Sequence, residues 1–365
     1  MKVSHLLTLL PLASAIVIPR PNGTYSVNAE ITELVDSSRT VNGSARRLMA
    51  TTFYPVGDYA DCSPYTIPYM PPFTARLSAQ LYSSEYGVPL PDNAFEQFEL
   101  QICNASSPSR YSSHKSWPLT LFTPGKGAVR QFYGALAQRL ASYGYIVVTI
   151  DTPLQSGIVE YLDGSYILAG NLSTEDAVRD RVKDVSFVKQ QLLDSSAPRS
   201  NYKIDQSRIA VWGHSLGGAV AGQATLEDPS FKGGVNLDGT MYGSVVQQGL
   251  KKPFMVFEHD GINDTSWHEF FAASPTRNKF ALQLRNSTHN TFGDYSLLIN
   301  LAGYRAIPAV EAIVGPLDGQ RVLVVLTAFL DAFFKFVFTG RSQRILKRPG
   351  AAYPEMQVVD DVYFP

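Results

Sequence analysis

Five residues constrain this chain more than any others: Gly213-His214-Ser215-Leu216-Gly217, set between the apolar run RIAVWG (208–213) and a small-residue stretch that begins at Leu216. A Gly-x-Ser-x-Gly pentapeptide where a strand meets a helix makes a turn so sharp that the serine backbone is strained and its neighbours must be tiny. Gly213 and Gly217 avoid the clash, and Gly218, Ala219 and Ala221 let the following helix pack closely on the strand. The turn lifts the serine hydroxyl clear of the sheet, and the helix N-terminus favours negative charge developing beside it. A Gly-rich turn with an idle serine is the competing reading, and only a base and an acid elsewhere in the chain exclude it.

The segments around the pentapeptide alternate. RRLMATTFYPV (46–56), WPLTLFTPG (117–125), YIVVTID (145–151), GGVNLDG (233–239), PFMVFEHD (253–260) and KFALQLRNSTH (279–289) read as strands. Several are the continuous apolar, β-branched runs that buried parallel strands require. AVRQFYGALAQRLASYG (128–144) has helical spacing of Phe132, Leu136 and Leu140 with Gly144 as a stop, and 173–194 is a long helix with Ser173 and Thr174 as caps and acids in its first turn. Alternating strands and helices predict a mostly parallel sheet flanked by helices, with reactive groups at the carboxyl ends of the strands. With the serine turn this is an α/β-hydrolase fold: one domain over 46–340, an N-terminal arm over 16–45 that is polar and weakly periodic, and a C-terminal tail over 341–365. RVLVVLTAFLDAFFKFVF (321–338) is apolar enough to raise a membrane question, but Asp331 and Lys335 lie four apart on one face, so a packed helix is expected and no transmembrane segment is read.

Residues 1–15 read as a secretory signal: Lys2, the apolar Leu6 to Leu12, and the small residues Ala13-Ser14-Ala15 at the cleavage site. Secretion agrees with six Asn-x-Ser/Thr acceptors, at Asn22, Asn42, Asn104, Asn171, Asn263 and Asn286. Cys62 and Cys103 are the only cysteines, and in an oxidising compartment they are expected to pair, closing a loop worth about 3–4 kcal/mol. With 31 basic against 32 acidic residues, nothing in the charge balance points to nucleic acid. The sequence leaves the oligomeric state and contact with a lipid surface open.

A serine nucleophile needs a base, and the base an orienting acid, in this fold in the chain order serine, acid, histidine. Of six histidines, His5 lies in the signal, His114 precedes the serine, and His214 sits inside the turn and cannot fold back. Among His259, His268 and His289, only His289 follows the last predicted strand, in the polar loop NSTHNTFGD. Two aspartates end strands before a glycine, Asp238 in VNLDGT and Asp260 in FEHDG; position in the alternating pattern of a generic α/β hydrolase favours Asp260. The oxyanion amides are expected from Leu216, directly after the serine, and from Lys126 in the Gly125-Lys126-Gly127 loop. No His/Cys/Asp cluster is spaced as a metal site, and no cofactor is expected.

These segments resemble the platelet-activating-factor acetylhydrolase family, the secreted plasma type and its fungal relatives, over roughly residues 46–340. GHSLGG is similar to its nucleophile turn, LDGTM to its acid segment, HNTFGDY to its histidine segment, and LFTPGKGAVRQFYGALAQRLASYGYIVVTID to its oxyanion loop, helix and strand, all in the same order. The resemblance moves the acid to Asp238, leaving Asp260 as the alternative. Thr123-Pro124-Gly125-Lys126 replaces the Ser-His-Gly type of loop frequent in the family, which keeps backbone donors and puts Lys126 at the mouth. The resemblance implies a secreted serine esterase acting on short-acyl esters of glycerophospholipids, 1-alkyl-2-acetylglycerophosphocholine being the type substrate. A cutinase or polyester-type hydrolase, a general carboxylesterase and a non-catalytic binding protein are the alternatives. The stretch 152–173 is expected either to wall the acyl pocket or to run over the surface carrying Asn171.

Overall fold

β-branched runs too apolar to face water pair side by side here and leave the polar residues to their connections. The computed structural model describes residues 15–58, 62–105, 115–194, 201–274 and 278–363. The signal reading therefore lies outside the described residues except at Ala15, as do His5 and His114. The strands are β1 (Ile16–Ile18), β2 (Ser26–Val41), β3 (Ser44–Gly57), β4 (Cys62–Pro68), β5 (Phe98–Ala105), β6 (Ser116–Thr123), β7 (Ile146–Asp151), β8 (Ile158–Glu160), β9 (Tyr166–Leu168), β10 (Lys203–His214), β11 (Phe231–Leu237), β12 (Phe254–His259), β13 (Lys279–Leu284) and β14 (Met356–Val358). The helices are α1 (Pro72–Tyr86), α2 (Gly134–Ala141), α3 (Thr174–Leu193), α4 (Leu216–Glu227), α5 (Val245–Gln248), α6 (Thr265–Ala273), α7 (Tyr295–Leu301), α8 (Pro308–Val314), α9 (Gly319–Thr339) and α10 (Asp360–Tyr363).

Nine strands form the central sheet in the order β14-β13-β12-β11-β10-β6-β7-β3-β2. The run from β13 to β7 is parallel, and antiparallel strands finish both edges. From β6 the chain moves to β7 on one side, and returns as β10 on the other. That reversal opens a crevice at the carboxyl ends of β6 and β10. Gly213 is in register with Thr123 there, so the serine turn and the loop after β6 are neighbours by topology alone.

Two cores cover the sheet. Val178, Val182 and Val185 of α3 pack with Val220 and Ala224 of α4 on one face. Leu136 and Leu140 of α2 pack with Leu326, Phe329 and Phe333 of α9 on the other. The stretch 308–339, which contains α9, is long and apolar enough to cross a membrane by length and composition, but most of the apolar residues of α9 are buried in the core here. Lys335 reaches Asp331 at 2.7 Å along the same helix, and Tyr145 donates to Asp331 at 2.9 Å.

Two stretches differ from the sequence expectation. Residues 16–45 are not free of regular structure: β2 runs antiparallel to β3 along the sheet edge, the hairpin turning at Asn42-Gly43. Its Ser, Thr, Asp and Glu residues suit an edge strand wetted on one side, and that polarity hid the strand in the sequence. β13 ends at Leu284, five residues before His289, which starts a short 3₁₀ turn instead. The tail adds β14 to β13 and packs α10 beneath it. A smaller sheet, β1-β5-β4, carries the disulfide Cys62–Cys103, with Cα atoms 5.4 Å apart.

Candidate active site

Ser215 stands between β10 and α4 with φ +56° and ψ −124°, a left-handed conformation that disfavours any Cβ-bearing residue. The turn is crowded on both sides: a Cβ on Gly217 would lie 1.9 Å from the Thr123 carbonyl oxygen, and one on Gly213 would lie 2.3 Å from that of Gly217. The Ser215 amide donates to the Leu237 carbonyl at 2.8 Å, which extends the β10–β11 ladder one residue into the turn. The next strand repeats the device. Asp238, also at positive φ (+58°), follows β11, and its amide donates to Phe257 at 2.8 Å. Successive strand ends thus place a hydroxyl and a carboxyl side by side at the crevice.

Asp238 is buried and takes two imidazoles. His289 Nδ1 lies 2.6 Å from Oδ2, and His259 Nδ1 lies 2.7 Å from Oδ2 and 2.8 Å from Oδ1. The His259 backbone amide donates to Oδ1 at 2.9 Å. Burial opposes ionisation of Asp238, but the bonds from His259 and His289 outweigh it and hold the carboxyl below its ordinary range. An ionised carboxylate only accepts, so each imidazole carries its hydrogen on Nδ1. In neutral His289 the Nε2 lone pair is then free to take a proton. Asp260 makes a different contact: its carboxylate accepts from the Asn286 amide at 2.8 Å and braces the loop that carries His289.

His214 braces the same loop from within the serine turn. Its Nε2 donates to the His289 carbonyl at 2.9 Å. Nδ1 is then the acceptor, and takes the Tyr133 hydroxyl at 2.8 Å. Tyr133 in turn accepts the Gly125 amide at 3.3 Å. Burial, reinforced by the neighbouring His289, pushes the His214 pKa down to about 3, so the ring is a neutral connector at working pH. Asp294 anchors the far end of the His289 turn on α2, accepting from the amides of Ala135 and Leu136 at 2.7 and 3.1 Å. Burial raises the Asp294 pKa to about 7 against those bonds.

The loop after β6 is pinned from behind. Arg181, fully buried, donates to the Pro124 carbonyl and, at 3.4 Å, to that of Gly125. In a trans peptide the amide hydrogen opposes the carbonyl. The Lys126 N–H therefore points away from Arg181. Leu216 is the first residue of α4, where backbone N–H groups have no helical acceptor.

Ser215, His289, Gly125, Lys126 and Gly127 line one open cleft of about 730 Å³. Gly157, Leu168 and Ala169 add to its wall, so part of 152–173 does border the site, while Leu162, Tyr166 and Asn171 of the same stretch face solvent. All six Asn acceptors are exposed. Asp238, His259 and His289 have their ligand atoms within 4.8 Å of one another, close enough to suggest a metal set. The Nδ1–carboxylate separations of 2.6–2.8 Å are hydrogen-bond lengths, which N–H donors satisfy without an ion.

The sequence reading missed four residues. His259 was a candidate base and not a second partner of the acid. Arg181 and Tyr133 carried no local signal. Asp294 lay inside HNTFGDY without an assigned role.

A parallel sheet with a strained serine turn after its central strand, followed in chain order by an aspartate and a histidine in hydrogen-bond contact, defines an α/β hydrolase. The comparisons agree: 95% of the chain superposes on all of a ferulic acid esterase from Streptomyces cinnamoneus with a TM-score of 0.77 at 25% identity. The sequence matches the family described as platelet-activating factor acetylhydrolase, isoform II, over residues 12–171 and 176–310, and the chain belongs to that family. A probable 1-alkyl-2-acetylglycerophosphocholine esterase from Arthroderma benhamiae is 29% identical over 96% of this chain and 95% of its own. Platelet-activating factor acetylhydrolase of Cavia porcellus is 26% identical over 87% of this chain and 77% of its own.

Proposed function

We propose that this chain is a secreted carboxylic ester hydrolase that removes a short acyl group, acetyl foremost, from an alkylglycerophospholipid-type ester through an acyl-serine intermediate. Ser215 Oγ attacks the ester carbonyl carbon while His289 Nε2 takes the hydroxyl proton. Asp238 holds the His289 ring by Nδ1 and supports the imidazolium charge. The amides of Leu216 and Lys126 receive the oxyanion. Collapse of the tetrahedral intermediate breaks the bond to the leaving alcohol, whose oxygen takes the proton back from His289. Water then attacks the acyl-serine by the same route, releasing the acid and restoring the serine.

The observation that carries this reading is the contact of 2.6 Å between His289 and Asp238 with His289 and Ser215 lining one cleft. Asp260, engaged by the Asn286 amide, is the weaker candidate acid, which argues for the acetylhydrolase-type arrangement over the polyester-hydrolase one. Lys126, exposed at the rim, offers a positive charge to a phosphodiester. The exposed Asn acceptors and the disulfide suit an extracellular protein.

The test is hydrolysis of p-nitrophenyl acetate, butyrate and octanoate beside a 2-acetyl phospholipid, with fluorophosphonate labelling of the wild type and Ser215→Ala. The expected result is labelling at Ser215 only and preference for the acetyl phospholipid. No labelling would mean a binding protein on a hydrolase fold, and preference for octanoate would overturn the short-acyl assignment.

A further inference from the structure

Asp238 is one negative charge held between two rings that can each become positive. Its Oδ2 lies 2.6 Å from His289 Nδ1 and 2.7 Å from His259 Nδ1, and the ring centroids are 6.4 Å apart. Both rings already give their Nδ1 hydrogen to the carboxylate, so a further proton on either goes to Nε2. On His289 that nitrogen is the one that must take the serine proton, and a proton already there ends its use as a base. On His259 the same proton does no harm, because of the two rings it is that of His289 which borders the cleft.

The rings compete for the first proton, and their surroundings favour His259. It meets both oxygens of Asp238, at 2.8 and 2.7 Å, whereas His289 meets one. It stands in the chain between Glu258 and Asp260. Glu258 is bonded by the Tyr363 hydroxyl and by the Gln283 side-chain amide at 2.8 Å, and burial raises its carboxyl to about 7, so its pull fades in acid. Asp260 adds a carboxylate on the other side. The neighbour stacked on His289 is His214, with centroids 4.6 Å apart, a neutral ring that offers no negative charge. Burial opposes a charge on His259, whose side chain is 24% exposed against 44% for His289, but the carboxylates outweigh it. Once His259 is charged it neutralises Asp238 and repels a second positive ring. At 6.4 Å, with partial screening by solvent, that repulsion is on the order of one pH unit. We infer that His259 is a positioning residue for the proton: it takes the first one that arrives in acid, and so keeps His289 Nε2 vacant for Ser215 about one pH unit further into the acid range. This rests on the esterase reading above and adds to it a second histidine that sets where the base works.

The test is the pH profile of kcat/KM for p-nitrophenyl acetate in the wild type and in His259→Gln, which still donates to Asp238 but cannot charge. On the alkaline plateau His259 is neutral in the wild type as well, so the two proteins differ there only by one exchanged hydrogen bond. Toward acid the wild type is expected to fall in two steps, the macroscopic signature of a coupled pair. The variant is expected to fall in one step, about one pH unit above the second step of the wild type. Below that step its activity, relative to its own plateau, is then about tenfold lower than that of the wild type. A single step at the same pH in both proteins, or an acid limb that moves down in the variant, overturns the inference. A ¹⁵N NMR titration of the ring nitrogens separates this from failure of the esterase reading, since it needs no turnover. In the wild type His259 is expected to gain its proton before His289, and in His259→Gln His289 is expected to gain its own about one pH unit higher. That order supports the inference even if no ester is hydrolysed. His289 protonated first in the wild type, or at the same pH in both proteins, refutes it, and the wild-type order alone decides the matter if the variant does not fold.

Discussion

Two segments, the end of β12 and the loop after β13, each deliver an imidazole to the same carboxylate, and they do it differently. His259 is the last residue of β12, and reaches Asp238 with ring and backbone together. It is set by the strand and needs little else. His289 arrives five residues past β13, in a turn that has to be built: Thr288 and Thr291 cap it reciprocally, Asp260 holds Asn286, and His214 holds the His289 carbonyl. Of these two imidazoles, it is that of His289 which lines the cleft with Ser215. Contact with the acid therefore does not single out the base. A shared cleft with the proposed nucleophile distinguishes His289, and the fold commits a network of braces to the loop that carries it.

The sharpest way to break the comparison is to exchange the losses. Ser215→Ala and His289→Ala are each expected to lower kcat by about 10⁶, since the members of such a triad act as a unit. Asp238→Asn, which removes the charge that both imidazoles share, is expected to cost about 10⁴ in kcat. His259→Gln is expected to cost less than about tenfold in kcat/KM, because a glutamine still donates one hydrogen bond, worth about 1 kcal/mol. A His259→Gln loss as large as that of His289→Ala would reverse the two roles. Smallest is Asp260→Asn, expected to lower kcat/KM by no more than about fivefold through a looser Asn286; a loss like that of Asp238→Asn would move the acid to Asp260.

His259 also predicts a pH dependence. Burial disfavours its charged form, but the bonds to Asp238, with Glu258 and Asp260 nearby, more than offset this and raise its pKa above the ordinary value. A raised folded-state pKa contributes stability that is fully present below the unfolded value and is lost as pH rises through the folded one. Thermal melts of wild type and His259→Gln should then differ more at acidic than at alkaline pH. A constant gap across that range would mean that His259 does not charge against Asp238.

Much of this arrangement was legible locally. Gly213, Ser215 and Gly217 announce their turn because no larger residue fits between Thr123 and α4, and the apolar runs of β6, β7, β10 and β12 announce buried strands. β2 was not legible, because an edge strand with polar residues lacks the hydrophobic contrast that periodicity reads. Position in the alternating pattern favours Asp260 of the two strand-end aspartates, and only the family resemblance moves the acid to Asp238. Asp238 and Asp260 each precede a glycine after a strand, and what distinguishes them is the loop after β13, which brings His289 to one and Asn286 to the other.

What the sequence determined by itself is what depends on neighbours along the chain: the strained serine turn, the alternation that makes a parallel sheet, and the single cysteine pairing available. Tertiary structure decided what depends on partners remote in sequence. The second imidazole on Asp238, Arg181 behind the loop that ends in Lys126, and the Tyr133–His214 link between that loop and the His289 turn are of this kind. Apart from the Gly125–Tyr133 bond, the residues in these contacts lie between 21 and 81 positions apart and meet only because the strands are ordered as they are. Side-chain spacing carries no record of that order.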